Sequence, residues 1–129
     1  MLGIIIVAHG GLAQEYLSAT EYIVGINPNV KAISVYPSDT ICEKQDQIRK
    51  SLSEVNSGSG AVIVTDMHGS TPANLALKAS KDYNCTVLFG ANLPLLVKLI
   101  KVRNLSAPDA VSLAVDAGRK YIDWASPIL

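Results

Sequence analysis

The amino-acid sequence predicts an α/β fold: an open, mostly parallel sheet of about four strands with helices on both faces. Three observations carry that expectation. Short apolar, largely β-branched runs recur at residues 3–8 (GIIIVA), 31–36 (KAISVY), 61–65 (AVIVT) and 85–89 (CTVLF). Segments of helical periodicity separate them, which is the signature of parallel strands joined by crossover helices. The runs give way to glycine, proline or small polar residues, which turn the chain into the next element.

The first run is apolar throughout, as a strand buried on both faces must be. It stops at His9-Gly10-Gly11, where glycine permits a tight turn. From Leu12 to Val24 the apolar residues fit one broad helical face; Gly25 ends the helix and Asn27-Pro28-Asn29 forms a turn. The second run breaks at Pro37-Ser38. Thr40 and Glu43 then have capping-box spacing, and Ile41, Ile48, Leu52 and Val55 mark the buried stripe of a polar-faced helix. Residues 56–60 (NSGSG) are a loop.

The third run ends at residues 66–72 (DMHGSTP), where Thr71 suits an N-cap and Pro72 the first helical position. That helix continues over 73–81. After the fourth run, Asn92 caps a helix through Leu95, Leu96, Leu99 and Ile100, and Ser106 starts a last helix reaching about Trp124. No internal repeat or second domain is evident, so residues 1–129 are expected to form one domain. Right-handed crossovers leave few topologies, and strand order 2-1-3-4, the flavodoxin-like order, is the simplest.

Composition narrows the function. Hydrophobic residues make up 49% and aromatic ones 5%, so the core is aliphatic. Eleven basic residues balance eleven acidic ones, which is not the footprint of a nucleic-acid binder. The apolar N-terminal run is too short to span a membrane and lacks the basic start of a signal peptide. A cytoplasmic protein without membrane insertion is expected. Cys42 and Cys85 lie far apart and form no CxxC; they are expected to be free, partly buried thiols.

In the 2-1-3-4 order, strands 1 and 3 are neighbours and the chain leaves them toward opposite faces. Ligands bind in the crevice at the carboxyl ends of such strands. His9 follows strand 1, while Asp66 and His68 follow strand 3. Gly10 and the Thr71-Pro72 helix start flank the same crevice, where helix N-termini favour an anion. The chemistry that fits is phosphoryl transfer to a ring nitrogen. A neutral imidazole is nucleophilic near neutral pH, since its ordinary pKa is about 6.5. Asp66 is the natural carboxylate to orient His9, and Thr71, Ser70 and the Gly10 turn are candidates to hold phosphoryl oxygens. Such transfer depends on positioning and charge stabilisation, so neither metal nor other cofactor is expected. Each residue also has a structural reading: a lone His is more often structural, Asp66 can cap its own turn, and Thr71-Pro72 is a helix start in any case. His68 packs or lines the cleft as an accessory group, or is itself the nucleophile; the first reading is favoured.

Three stretches, GIIIVAHG (3–10), VTDMHGSTPAN (64–74) and GANLPLL (90–96), carry a family resemblance in their order and spacing, and AVDAGR (114–119) extends it. The chain resembles the enzyme IIA component of the mannose-type bacterial sugar phosphotransferase system over nearly its whole length. The resemblance implies a homodimer, His9 as the phosphorylated residue, Asp66 as its orienting carboxylate and Thr71 as a phosphoryl-contacting hydroxyl. It implies the phosphocarrier protein HPr as donor and a IIB component, or a regulatory target, as acceptor. His68 stands where the family commonly has a bulky aromatic or apolar residue. Ser70 replaces the second glycine of a usual pair, and Ala73 a frequent Ser. With no Ala/Pro-rich linker after Trp124, a free-standing IIA is expected. Competing expectations are a IIA-like subunit phosphorylating a dihydroxyacetone kinase, a small chelatase-like protein using His9, Asp66 and His68 as an open metal site, and a non-catalytic binding module.

Overall fold

A strand whose every side chain meets another layer has no room for a polar residue until it leaves the sheet, and β1 (Gly3–His9) obeys this rule. Residues 3–8 are buried and only the terminal His9 is exposed. A computed structural model describes residues 1–127. Along the chain follow α1 (Leu12–Val24), β2 (Val30–Val35), α2 (Ile41–Val55), β3 (Ala61–Thr65), α3 (Thr71–Ala79), β4 (Cys85–Leu88), α4 (Leu93–Val102) and α5 (Ala107–Lys120).

The four strands pair in parallel in the order β2-β1-β3-β4. The fold class and strand order expected from the sequence are those observed. His9 pairs with Val35 and Val7 with Thr65, so the carboxyl ends of three strands meet at one edge. Alternate side chains of β1 feed two separate cores, as strand geometry requires. Ile4, Ile6 and Ala8 join Val62, Val64 and Leu88 under Ala13 of α1, Leu95, Leu96 and Leu99 of α4, and Ala110 and Ala114 of α5. Ile5 and Val7 join Ile33, Val35 and Ile63 under Ile48, Leu52 and Val55 of α2 and Leu75, Ala76 and Ala79 of α3. Hence α1 and α3, the helices that follow β1 and β3, lie on opposite faces, and the crevice between them opens beside His9.

Several boundaries differ from the sequence expectation. Ser70, not Thr71, caps α3: its Oγ accepts the Ala73 N–H at 3.3 Å, and Pro72 falls within the first turn. Thr40 occupies the cap position of α2 with no side-chain hydrogen bond, so the capping box does not form, and Ile41 is exposed rather than part of the buried stripe. Asn92 does cap α4, accepting the Leu95 N–H at 3.0 Å and also donating to Gly118 O of α5 at 3.0 Å. Helix α5 stops at Lys120, and Trp124 beyond it is 84% exposed. Both cysteines are free; Cys85 is half-buried as expected, but Cys42 is exposed, because it lies on the outer face of the first turn of α2. Among the described residues, no helix is long and apolar enough to cross a membrane.

Candidate functional site

Strand order brings the ends of β1 and β3 together, and this alone fixes the central contact. Asp66 is the first residue beyond β3, and its Oδ2 accepts the His9 backbone N–H at 2.9 Å and meets ring Nδ1 at 2.6 Å. The His9 side chain is 55% exposed and that of Asp66 only 9%. Burial pushes the Asp66 carboxyl upward, but the hydrogen bonds from the His9 N–H and ring, the charge of that ring and the Met67 N–H together lower it below its ordinary 3.8. An ionised carboxylate only accepts hydrogen bonds, so the 2.6 Å contact requires a proton on Nδ1.

A cleft of about 310 Å³ opens beside this pair, lined by His9, Val35, Tyr36, Pro37, Asp39, Ile41, Lys44, Thr71 and Leu75. Thr71, at the first position of α3, is exposed there. Of the first four α3 amides, Pro72 has none, Ala73 donates to Ser70 Oγ and Asn74 donates to Ser70 O. The Thr71 N–H and hydroxyl are therefore what this helix end offers an anion.

Two expected phosphoryl ligands have other partners. The Gly10 N–H donates to Val35 O at 2.8 Å, extending the β1–β2 ladder. The role left to Gly10 is conformational: φ is +53° and the Tyr36 ring lies alongside, a turn that a Cβ would strain. Ser70 is 8% exposed, and its hydroxyl donates to Met67 O at 2.6 Å while capping α3; Asp66 Oδ1 lies farther off at 3.4 Å. It braces the Asp66 loop from behind and does not face the cleft. His68 stacks on Phe89, ring centroids 4.2 Å apart, in a different cavity bounded by β4 and α5. Among the described residues, no group of three or more His, Cys, Asp and Glu side chains could hold a metal ion. The metal site drawn from His9, Asp66 and His68 is thus not assembled, because Phe89 holds His68 elsewhere.

The structure also adds residues that local sequence pattern does not mark: Tyr36, Asp39 and Lys44, on the loop after β2 and the start of α2. The signal lies in the topology, since order 2-1-3-4 sets the end of strand 2 beside His9.

What these elements define is an open parallel α/β domain with a carboxylate-oriented histidine at the strand-order reversal. The family model described as "PTS system fructose IIA component" (EIIA-man) matches residues 3–115, and the chain belongs to this family. It is 28% identical over 124 residues to the mannose-specific EIIAB component of the phosphotransferase system (PTS) of Escherichia coli (strain K12), a match covering 94% of this chain and 38% of that protein. YadI of the same organism, named as a putative phosphotransferase enzyme IIA component, is 31% identical over 104 residues, 80% of this chain and 71% of YadI. The crystal structure of the EIIA component from Streptococcus agalactiae superposes with a TM-score of 0.86 at 26% identity, covering 96% of this chain and 97% of that one. This chain spans well under half the length of the curated EIIAB relatives.

Proposed function

We propose that this chain is a phosphohistidine carrier that takes a phosphoryl group from phospho-HPr onto Nε2 of His9 and passes it to a IIB component in sugar uptake, or to a regulatory target. The observation that carries the reading is the 2.6 Å contact between His9 Nδ1 and Asp66 Oδ2, which supports a proton on Nδ1 and Nε2 as the nucleophile. In the transfer, the donor's N–P bond breaks as the Nε2–P bond forms, and the donor ring departs with the electron pair. His9 then holds both the Nδ1 proton and the phosphoryl group. Its ring becomes cationic, and the adjacent Asp66 carboxylate offsets that charge. In this reading the Thr71 hydroxyl and N–H, on the same cleft as His9, donate to phosphoryl oxygens. No step calls for a metal or redox group.

Residues 1–129 act in this reading as a single IIA-type domain in the cytoplasm. Self-association as a homodimer is supported by family membership and by the exposed apolar residues Tyr22, Ile26, Ile122 and Trp124.

The test is phosphoryl transfer from phosphoenolpyruvate through enzyme I and HPr to the purified chain, with the modified residue mapped by mass spectrometry under conditions that spare acid-labile phosphohistidine. Label on His9, and none on a His9→Ala variant that melts like the wild type, is the expected result. No label with active donor proteins overturns the reading. Label retained in His9→Ala and lost in His68→Phe reassigns the nucleophile.

A further inference from the structure

The cleft that holds His9 also holds a cation. Lys44 lines it together with His9 and Thr71, and its side chain is only 15% exposed. Its Nζ donates to Gln47 Oε1 at 2.9 Å and lies 3.5 Å from Asp39 Oδ2.

Local energetics do not explain why a lysine stands there. It is the fourth residue of α2, close to the positive end of the helix dipole, where a cation is disfavoured. Holding a lysine side chain this far from solvent costs free energy unless close partners replace the water lost by its ammonium. Asp39 is an incomplete partner. The oxygen nearest Lys44 already accepts the Tyr36 N–H at 2.7 Å, and 3.5 Å exceeds the 2.7–2.9 Å or so of a tight charge-assisted bond. The ammonium is thus kept in the cleft without being locked. A lysine serving solubility alone belongs on the open face of the same helix, where Lys50 is.

The charge of the cleft supplies the missing reason. Asp39 lines it, and Asp66 lies behind His9. A phosphoryl group brings roughly −1.5 to −2 charges. Without Lys44 it would meet two carboxylates, and the one positive charge among the lining residues would be the His9 ring that carries it, already paired with Asp66. Resting on the carrier reading above, we infer that Lys44 is the cationic wall of the phosphoryl site. Its ammonium exchanges Gln47 Oε1 for an oxygen of the group on Nε2, while Thr71 donates from α3. The ammonium stays protonated throughout, and the only covalent change is the N–P exchange described above.

The test is titration of inorganic phosphate into the full chain at fixed ionic strength, followed by NMR of the His9 ring, with His9 labelling by phospho-HPr in parallel. The variants are Lys44→Met, which keeps the aliphatic stem, Lys44→Gln, Lys44→Arg and, as a charge control, Lys50→Met. Phosphate affinity and labelling kcat are expected to fall about tenfold or more in Lys44→Met and Lys44→Gln, recover largely in Lys44→Arg and stay unchanged in Lys50→Met. KM for the donor protein should move little, because Lys44 lies inside the cleft. Equal phosphate affinity in wild type and Lys44→Met, an equal loss in Lys50→Met, or no response of the wild type to phosphate overturns the inference. Lys44-dependent phosphate binding in a chain that HPr never labels leaves the anion site standing and removes the carrier reading. Normal labelling of Lys44→Met does the reverse.

Discussion

Asp66 Oδ2 takes two hydrogen bonds from a single residue, the backbone N–H of His9 at 2.9 Å and ring Nδ1 at 2.6 Å. The first fixes where the Asp66 loop meets the end of β1, and the second fixes which ring nitrogen is free. One carboxylate oxygen therefore couples loop position to the orientation of the His9 ring.

One oxygen serves both contacts, so an amide cannot keep one and lose the other. In Asp66→Asn an amide oxygen in the Oδ2 place keeps both hydrogen bonds but loses the charge that offsets a cationic phosphorylated ring. An NH₂ in that place opposes the His9 N–H and forces the ring proton onto Nε2. Labelling by phospho-HPr is expected to fall by on the order of 10²–10⁴-fold, the range for losing an orienting acid or base partner. The fold should survive, since Asp66 lies outside both cores. Full-rate labelling of Asp66→Asn or Asp66→Ala would contradict the orienting role.

The same contact has a pH signature. The Asp66 carboxyl is held below its ordinary 3.8, so the folded chain favours the ionised form more than the unfolded chain does. Its contribution to stability is fully present above the unfolded value and is lost as pH falls through the lower, folded one. Urea unfolding of wild type and Asp66→Asn should show a constant difference from about pH 7 down to about pH 5, which narrows below 3.8. A gap that widens in acid would mean that burial outweighs the His9 contacts.

How much of this site is legible in the sequence depends on whether the information is local or carried by topology. Strand 1 is legible because an apolar run stopping at His9-Gly10-Gly11 fits a strand buried on both faces, and the Asp66 contact follows once strand order is set. The α3 cap is ambiguous by one residue, since Ser70 and Thr71 are both cap formers and Pro72 suits either register. The end of α5 is masked because Tyr121, Ile122 and Trp124 continue an apolar pattern, yet all three are exposed. Lys44 is hidden because a lysine in a polar-faced helix is indistinguishable from a solvated one until the β2 loop is set beside His9. Ser70 and Gly10 look available to an anion by proximity alone, and only their hydrogen bonds reveal prior commitments.

The two cysteines should differ sharply in reactivity. Cys42 is exposed, whereas burial pushes the Cys85 thiol up to about 11. The thiolate is the reactive form, so Cys85 stays protonated and slow at pH 8. Iodoacetamide followed by peptide mapping should label Cys42 first in the native chain and both residues at similar rates in urea. Cys42→Ser should leave His9 labelling unchanged, because Cys42 does not line the cleft. Fast native labelling of Cys85 would mean that the β4 edge opens readily.

Arg103, at the end of α4, ties the chain together at the opposite edge of the sheet. It is 3% exposed; Nε and Nη2 donate to Leu2 O at 2.9 and 2.6 Å, Nη1 to Pro28 O at 2.8 Å and Nη2 to Asn29 O at 3.1 Å. Burial lowers its pKa, yet three carbonyl dipoles from the segments entering β1 and β2 stand in for a carboxylate. Arg103→Met would leave those carbonyls short of donors and should cost roughly 2–4 kcal/mol in urea unfolding. Arg103→Lys should recover only part, since an ammonium lacks the planar fork that reaches all three. Strand β1 puts roughly 20 Å between this clamp and His9. Phosphorylation of the folded fraction should therefore proceed at the wild-type rate. A loss of labelling that exceeded the loss of folded protein would show instead that the clamp sets the register of β1, and with it the position of His9.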